Sequence, residues 1–271
     1  MSLTRCKRAC EKEGVRGFII YEGPSMLDGN PIVAILVPST NRKTYGGMHL
    51  WILMRDIYPR DAIHSGLDST ICGDCKYRRT LVDGVWTRAC YVIIPAMSII
   101  YKSYRNGEYQ RLVSEVPHYN MNLKALQKVG KGEFLRIAAY GDPAAVPYER
   151  LQWTREVVEW GKEGAYTHQW DNPKADPRLK EFCMASVDTL SERDRAKAAG
   201  WRTFRVDWQG DGLQPGEMWC LATEEGNSRG HCNTCGLCSG LKLRGAKDQA
   251  VVPHGTQAKL FKRLVMNLKV S

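Results

Sequence analysis

The chain is predicted to be an α/β protein, a complete or partial (β/α) barrel-like parallel sheet carrying cysteine-rich metal-binding loops. Two observations lead there. From residue 134 onward, short apolar runs alternate with polar loops and helix-length stretches, and seven of the ten cysteines fall in two groups with metal-ligand spacing. Strands alternating with helices pair in parallel through right-handed crossovers, which gives a doubly wound sheet or a barrel. A chain of 271 residues, 43% of them hydrophobic, can bury one large core, so a single domain over 1–271 is expected.

Within it, residues 1–130 read as an irregular, β-rich N-terminal part. Apolar runs at 31–37 and 49–53 are bounded by the turn pairs Gly23-Pro24, Asp28-Gly29 and Gly46-Gly47. Residues 131–271 form the regular β/α part. A strand is expected over 134–140, a turn at Gly141-Asp142-Pro143, and a helix over 147–160 with Pro147 in its first turn. Strands follow at 165–170 and 182–187, then a helix from about 190 that stops at Gly200, then a strand over 202–206. Loops at 171–177 and 209–216 are rich in Pro, Gly and Asp.

Cys220, Cys232, Cys235 and Cys238 have the form C-x11-C-x2-C-x2-C in a Gly/Asn/Ser-rich loop. Four thiolates suit tetrahedral zinc or an iron–sulfur cluster equally. Cys72, Cys75 and Cys90 form a second set whose open position can take His64, water, substrate or a residue of the first set, so one shared site and two separate sites both remain open. Cys6 and Cys10 stand outside both groups, and Cys183 reads as a core thiol. Clustered cysteines with no sign of secretion point to metal in a reducing compartment and not to disulfides.

In a parallel sheet the loops after the strands lie at the carboxyl edge, where ligands bind. Asp142, His168 with Gln169, Asp188 and Asp207 all fall there, and the first set of four cysteines is expected to join them. Asp142, His168 and Asp188 are the catalytic candidates. Asp142 is expected as nucleophile or general base and His168 as proton carrier or substrate ligand; as a helix N-cap, Asp188 also has an ordinary structural reading. Tyr166 and Trp170 flank His168 and can stack on a base or pack, and His254 is a further candidate ligand.

Thirty-nine basic residues against 29 acidic give a net charge of +10, which favours a nucleic-acid or nucleotide partner. The charge is densest at the ends, from Arg5 to Arg16 and from Lys242 to Lys269, and Arg42 and Lys43 offer a further phosphate-binding loop. Neither the Walker nor the G-x-G-x-x-G spacing is present. No apolar run reaches the about 18 residues that a membrane span needs, and charges occupy positions 5–12, so a cytoplasmic protein is expected.

The segments Ile71-Cys-Gly-Asp-Cys75, Ala89-Cys-Tyr91, Ala139-Tyr-Gly-Asp-Pro143, Tyr166-Thr-His-Gln-Trp170, Met184-Ala-Ser-Val-Asp188 and Cys235-Gly-Leu-Cys-Ser-Gly240 resemble a family of uncharacterised phage and prophage proteins. The resemblance runs over nearly the whole chain and implies action in the cytoplasm of an infected bacterial host. More distantly the chain is similar to radical-SAM-type barrels, although fourteen residues separate Cys75 from Cys90 where those enzymes use C-x3-C-x2-C. It is also distantly similar to transglycosylase-type barrels with a late three-cysteine-plus-histidine zinc site, which Cys232, Cys235, Cys238 and His254 imitate at different spacing. The expected function is therefore a phage metalloprotein with an iron–sulfur cluster or zinc, acting as an enzyme on nucleic acid or nucleotides. The alternative is a nucleic-acid-binding protein with structural metal sites.

Overall fold

The computed structural model describes all residues except 1–3, 42, 43, 45, 83, 244, 255–257 and 262–271, together with the side chain of Lys242. Arg42, Lys43, Arg244, Lys262, Arg263 and Lys269 thus lie outside the described residues as phosphate contacts.

Twelve strands are described: β1 Phe18–Pro24, β2 Pro31–Pro38, β3 Met48–Met54, β4 Thr80–Val82, β5 Val85–Thr87, β6 Gln110–Arg111, β7 Phe134–Tyr140, β8 Lys162–Thr167, β9 Met184–Val187, β10 Thr203–Val206, β11 Glu217–Trp219 and β12 Asp248–Val251. The α-helices among the described residues are α1 Arg5–Lys12, α2 Pro59–Ser65, α3 Ser69–Cys72, α4 Ile94–Arg105, α5 Tyr119–Gly130, α6 Tyr148–Glu156, α7 Leu190–Ala198 and α8 Cys232–Cys235. Ten strands make one sheet in the order β11-β12-β10-β9-β8-β7-β3-β2-β1-β6, and among the described residues β4 pairs only with β5. From β3 to β11 every pairing is parallel, whereas β1, β2 and β3 form an antiparallel meander. The mostly parallel α/β sheet agrees with the expectation. A complete barrel is not what is seen: no pairing among the described residues joins β6 to β11, so the sheet is open.

The N-terminal part is more regular than its sequence suggests. In β2, Ile32 to Val37 are buried without alternation, because neighbouring strands flank it and both faces are covered. Pro31 and Pro38 sit at its ends, where a missing N–H costs least. Helices α4 and α5 occupy ground read as irregular; α4 packs on α2 and β3, and α5 packs on α1. Cys6 and Cys10 face inward from α1, and Cys183 is fully buried ahead of β9.

In the C-terminal part the strand over 134–140 coincides with β7. Helix α6 follows Pro147, and α7 ends before Gly200, whose φ is +82°. The strand expected at 165–170 starts earlier, at Lys162, and ends at Thr167. Ala138 has φ +56° where β7 slips register against β3. A left-handed non-glycine residue in a bulge re-aims the strand end, and here it aims Asp142 and its turn.

His49 on β3 is buried beside Thr44, whose hydroxyl donates to the Gly46 carbonyl and lies 3.0 Å from Nε2. Burial, helped by the charge of Arg136, pushes the His49 pKa down to about 3. The unfolded chain then binds a proton that the folded chain refuses, so stability falls as pH drops from about 6.5 toward 3. The expected loss from this group is about 2 kcal/mol between pH 7.5 and 5. Denaturant titrations of wild type and His49→Gln across that range check it: the variant should show the shallower acid limb, and parallel limbs would refute the assignment.

Candidate functional site

Four loops meet at the carboxyl edge of β7, β8 and β9. After β7, Asp142 begins the 3-10 turn Pro143–Ala145 and accepts from the Ala144 N–H. Its other acceptor positions take the Thr167 hydroxyl at 2.7 Å and the His168 N–H at 2.8 Å. Both oxygens are therefore occupied by protein donors, and Asp142 braces the ends of β7 and β8 together. Its own N–H donates to the Ile71 carbonyl, which docks the loop carrying Cys72 on this edge.

Gln169, fully buried, completes the docking by donating from Nε2 to the Cys72 carbonyl. Gly73 has φ +59°, and a Cβ there would lie 2.2 Å from the Gln169 amide oxygen. Only glycine permits that approach. Arg78 fastens the same loop, donating to the carbonyls of Gly66 and Gly73 and to the Asp68 carboxylate. Cys90 joins through its N–H to the Tyr77 carbonyl.

The result brings together Cys72, Cys75 and Cys90, which lie within electrostatic reach of one another, and places His168 against Cys75. Burial opposes charge on His168, but Cys75, Asp188 and Asp142 outweigh it and raise its pKa to about 9. The His168 ring meets Tyr77 edge-on at 5.4 Å.

Asp188 differs from its ordinary reading. The N-cap of α7 is Thr189, whose side chain accepts from the Glu192 N–H. This leaves the Asp188 carboxylate, on a residue 2% exposed, facing the Lys76 ammonium at 2.7 Å. The buried Tyr77 hydroxyl faces the same carboxylate. Burial and then Asp188 push the Tyr77 pKa far up. A buried carboxylate held between a lysine and a tyrosine at a strand end marks a candidate site. Lys76, Tyr77 and Gln169 escaped the sequence reading of catalytic candidates; for the first two, adjacency to Cys75 is the signal.

The other cysteine group lies elsewhere. Cys220, Cys232, Cys235 and Cys238 line a single cleft with Phe134 and Tyr166. The Cys238 carbonyl accepts from the Ala165 N–H, and its Cβ lies 3.4 Å from where a Gly164 side chain would begin. The loop meets the first residues of β7 and β8, Phe134 and Lys162, and the middle of β8 at Gly164 and Ala165, so the four cysteines lie apart from the carboxyl-edge residues instead of joining them as expected. From Gly164 to His168 is about 13 Å of extended chain. Two separate groups result, not one shared site. Burial pushes the Cys238 thiol up to about 12; Cys220 and Cys232 add to the shift, while Tyr166 and Arg136 oppose it.

Beside the four-cysteine cleft, on the face of Gly164, Arg136 stacks on Tyr166 at 4.3 Å and Tyr166 meets Phe204 at 4.3 Å. Arg136 also reaches the Tyr91 hydroxyl. Trp170 carries Arg195 over its ring at 5.2 Å, the exposed His254 bonds to the nearby Val252 carbonyl, and His64 is exposed at the end of α2. Asp207 accepts from Arg205, Asp211 and Gly212 and closes a turn.

Among the described residues no three His, Cys, Asp or Glu side chains are drawn closely enough to hold a metal ion as they stand. No disulfide joins any of the ten cysteines, and the donor chemistry of each group is soft sulfur, joined at the carboxyl edge by imidazole. That set suits zinc or iron–sulfur. No described helix is long and apolar enough to cross a membrane. Comparison with protein-family models, with curated proteins and with solved structures finds no match for this chain.

Proposed function

We propose that the chain is a metal-dependent enzyme acting on nucleic acid or nucleotides, with its reactive centre where Cys72, Cys75 and Cys90 meet His168 and Asp188. The observation that carries this reading is the pairing of Cys75 with His168 beside a buried carboxylate that no helix cap uses. Zinc or an iron–sulfur cluster held by Cys72, Cys75 and Cys90 would supply Lewis acidity or electron transfer at that edge. The chain's own residues have separable tasks. His168 and Asp188 hold or move a proton, Lys76 and Tyr77 set the charge around Asp188, and Asp142 and Gln169 position the loops. Cys220, Cys232, Cys235 and Cys238 form a second, structural metal group. The net charge of +10 supports a polyanionic substrate.

Elemental analysis of protein purified without oxygen tests the metal half. Zinc or iron should be present, and Cys75→Ser should lose the portion bound at the carboxyl edge while keeping the rest. Metal-free wild-type protein would sink the reading. For the enzyme half, nucleosides from cells expressing the wild type should carry a modified mass that His168→Gln and Asp188→Asn both abolish. A mass unchanged by either variant would remove the assigned roles.

A further inference from the structure

Among the described residues the β4–β5 hairpin stands apart from the main sheet and pairs only with itself. Its inner face belongs to the reactive centre's surroundings: Val82 packs with Tyr77, Ala89 and Phe261, against which Cys75 and Cys90 also rest. Its outer face is apolar and open. Leu81 and Trp86 lie directly opposite each other across the hairpin and are 55% and 58% exposed. The Arg79 guanidinium lies over the Trp86 ring at 4.1 Å. Further along the same segment Tyr91 is 68% exposed and Ile93 56%.

An indole half in water beside other exposed apolar groups marks a surface that something covers. Charge decides what. Of the four basic residues between 76 and 93, Lys76 and Arg78 are paired with Asp188, Glu192 and Asp68, which leaves Arg79 and Arg88 against one acid; the whole chain is strongly basic, so a second copy would be repelled where a polyanion is attracted. Flat aromatic rings interleaved with arginine are how proteins hold unstacked bases. A duplex hides its base faces and offers the indole nothing to stack on.

We infer that this hairpin is a base-stacking platform for single-stranded nucleic acid beside the Cys75–His168 centre. Trp86 stacks on a base, and Arg79, which uses one N–H on the His64 carbonyl, offers its remaining N–H groups to the adjacent phosphate. Leu81 and Tyr91 extend the platform along the strand. The inference rests on nucleic acid being the substrate, and it makes the strand single.

Fluorescence anisotropy with a short labelled oligonucleotide of mixed sequence, as single strand and as duplex, tests this on the full chain. Trp86→Ala should weaken single-strand binding about tenfold, with Trp86→Phe retaining most of it. Arg79→Ala should weaken binding and reduce the salt dependence by about one phosphate contact. Duplex binding should be weaker and indifferent to Trp86. Because Trp86 is exposed, melting curves of the variants should match the wild type. Single-strand binding that Trp86→Ala leaves unchanged would overturn the platform and leave the nucleic-acid reading intact. Failure of the wild type to bind any single strand at low salt would remove both. Absence of such binding together with a dimer in sedimentation that Trp86→Ala dissociates would assign the face to a second copy of this chain.

Discussion

Glu217→Ala is expected to lower the stability of this protein by about 3–5 kcal/mol, the cost of leaving a buried charge without its partner. Glu217 begins β11 with a fully buried side chain. One oxygen accepts from Arg193 and Arg205, both at 2.9 Å, and the other accepts from Arg205 at 2.8 Å and from the Gln214 N–H. Arg205, with a side chain 1% exposed, also reaches Asp207 and the Gly212 carbonyl. The network thereby ties α7, β10, β11 and the 207–217 loop into one unit. Removing the carboxylate leaves Arg205 with Asp207 as its counter-charge and Arg193 with the exposed Asp194. For a chain of this size the melting temperature should fall by about 10 °C. Thermal and urea unfolding followed by circular dichroism measure it; a loss under about 1 kcal/mol would show that water reaches and rescues the arginines.

Cys238→Ser should produce the second large effect and, unlike Cys75→Ser, a loss of stability as well as of metal. A structural metal site converts its binding energy into folding energy, on the order of 10 kcal/mol for a complete zinc site, so losing one ligand removes several of those. Cys238 is the cysteine whose backbone extends the edge of β8 and whose side chain meets Tyr166, so the four-cysteine loop and the sheet are mechanically joined there. Substitution should remove metal from this group and lower the melting temperature by about 10 °C or more. Cys75→Ser, in a loop held independently by Arg78, Gln169 and the Asp142 N–H, should change the melting temperature by a few degrees at most. Equal metal content in Cys238→Ser and wild type, with a change of about 1 kcal/mol, would make the C-terminal cysteines packing groups.

Much of the site was legible in local pattern. Cysteines at ligand spacing, and a His or Asp just past an apolar run, announce themselves because strand ends and turns are short-range features of the chain. Thus β7, α6 and α7 fall close to where periodicity, Pro147 and Gly200 place them. The roles of the three catalytic candidates were not legible. Asp142 and Asp188 look alike in sequence, each following a strand and preceding a helical turn. One is saturated by Thr167 and His168, which lie 25 and 26 residues away. The other is released from capping because Thr189 takes that task.

What the sequence determined by itself is the α/β class, the run of parallel strands after residue 134, and the two cysteine groups, since each depends on residues near one another in the chain. The tertiary structure alone decided that no pairing among the described residues closes the sheet and that the two groups lie apart along β8. It likewise decided that Lys76, Tyr77 and Gln169 surround the Cys75–His168 pair, and that Trp86 is left facing water. Those outcomes depend on register and on the order of strands, which long-range backbone pairing sets and which a one-residue slip or a bulge such as that at Ala138 changes for every side chain beyond it.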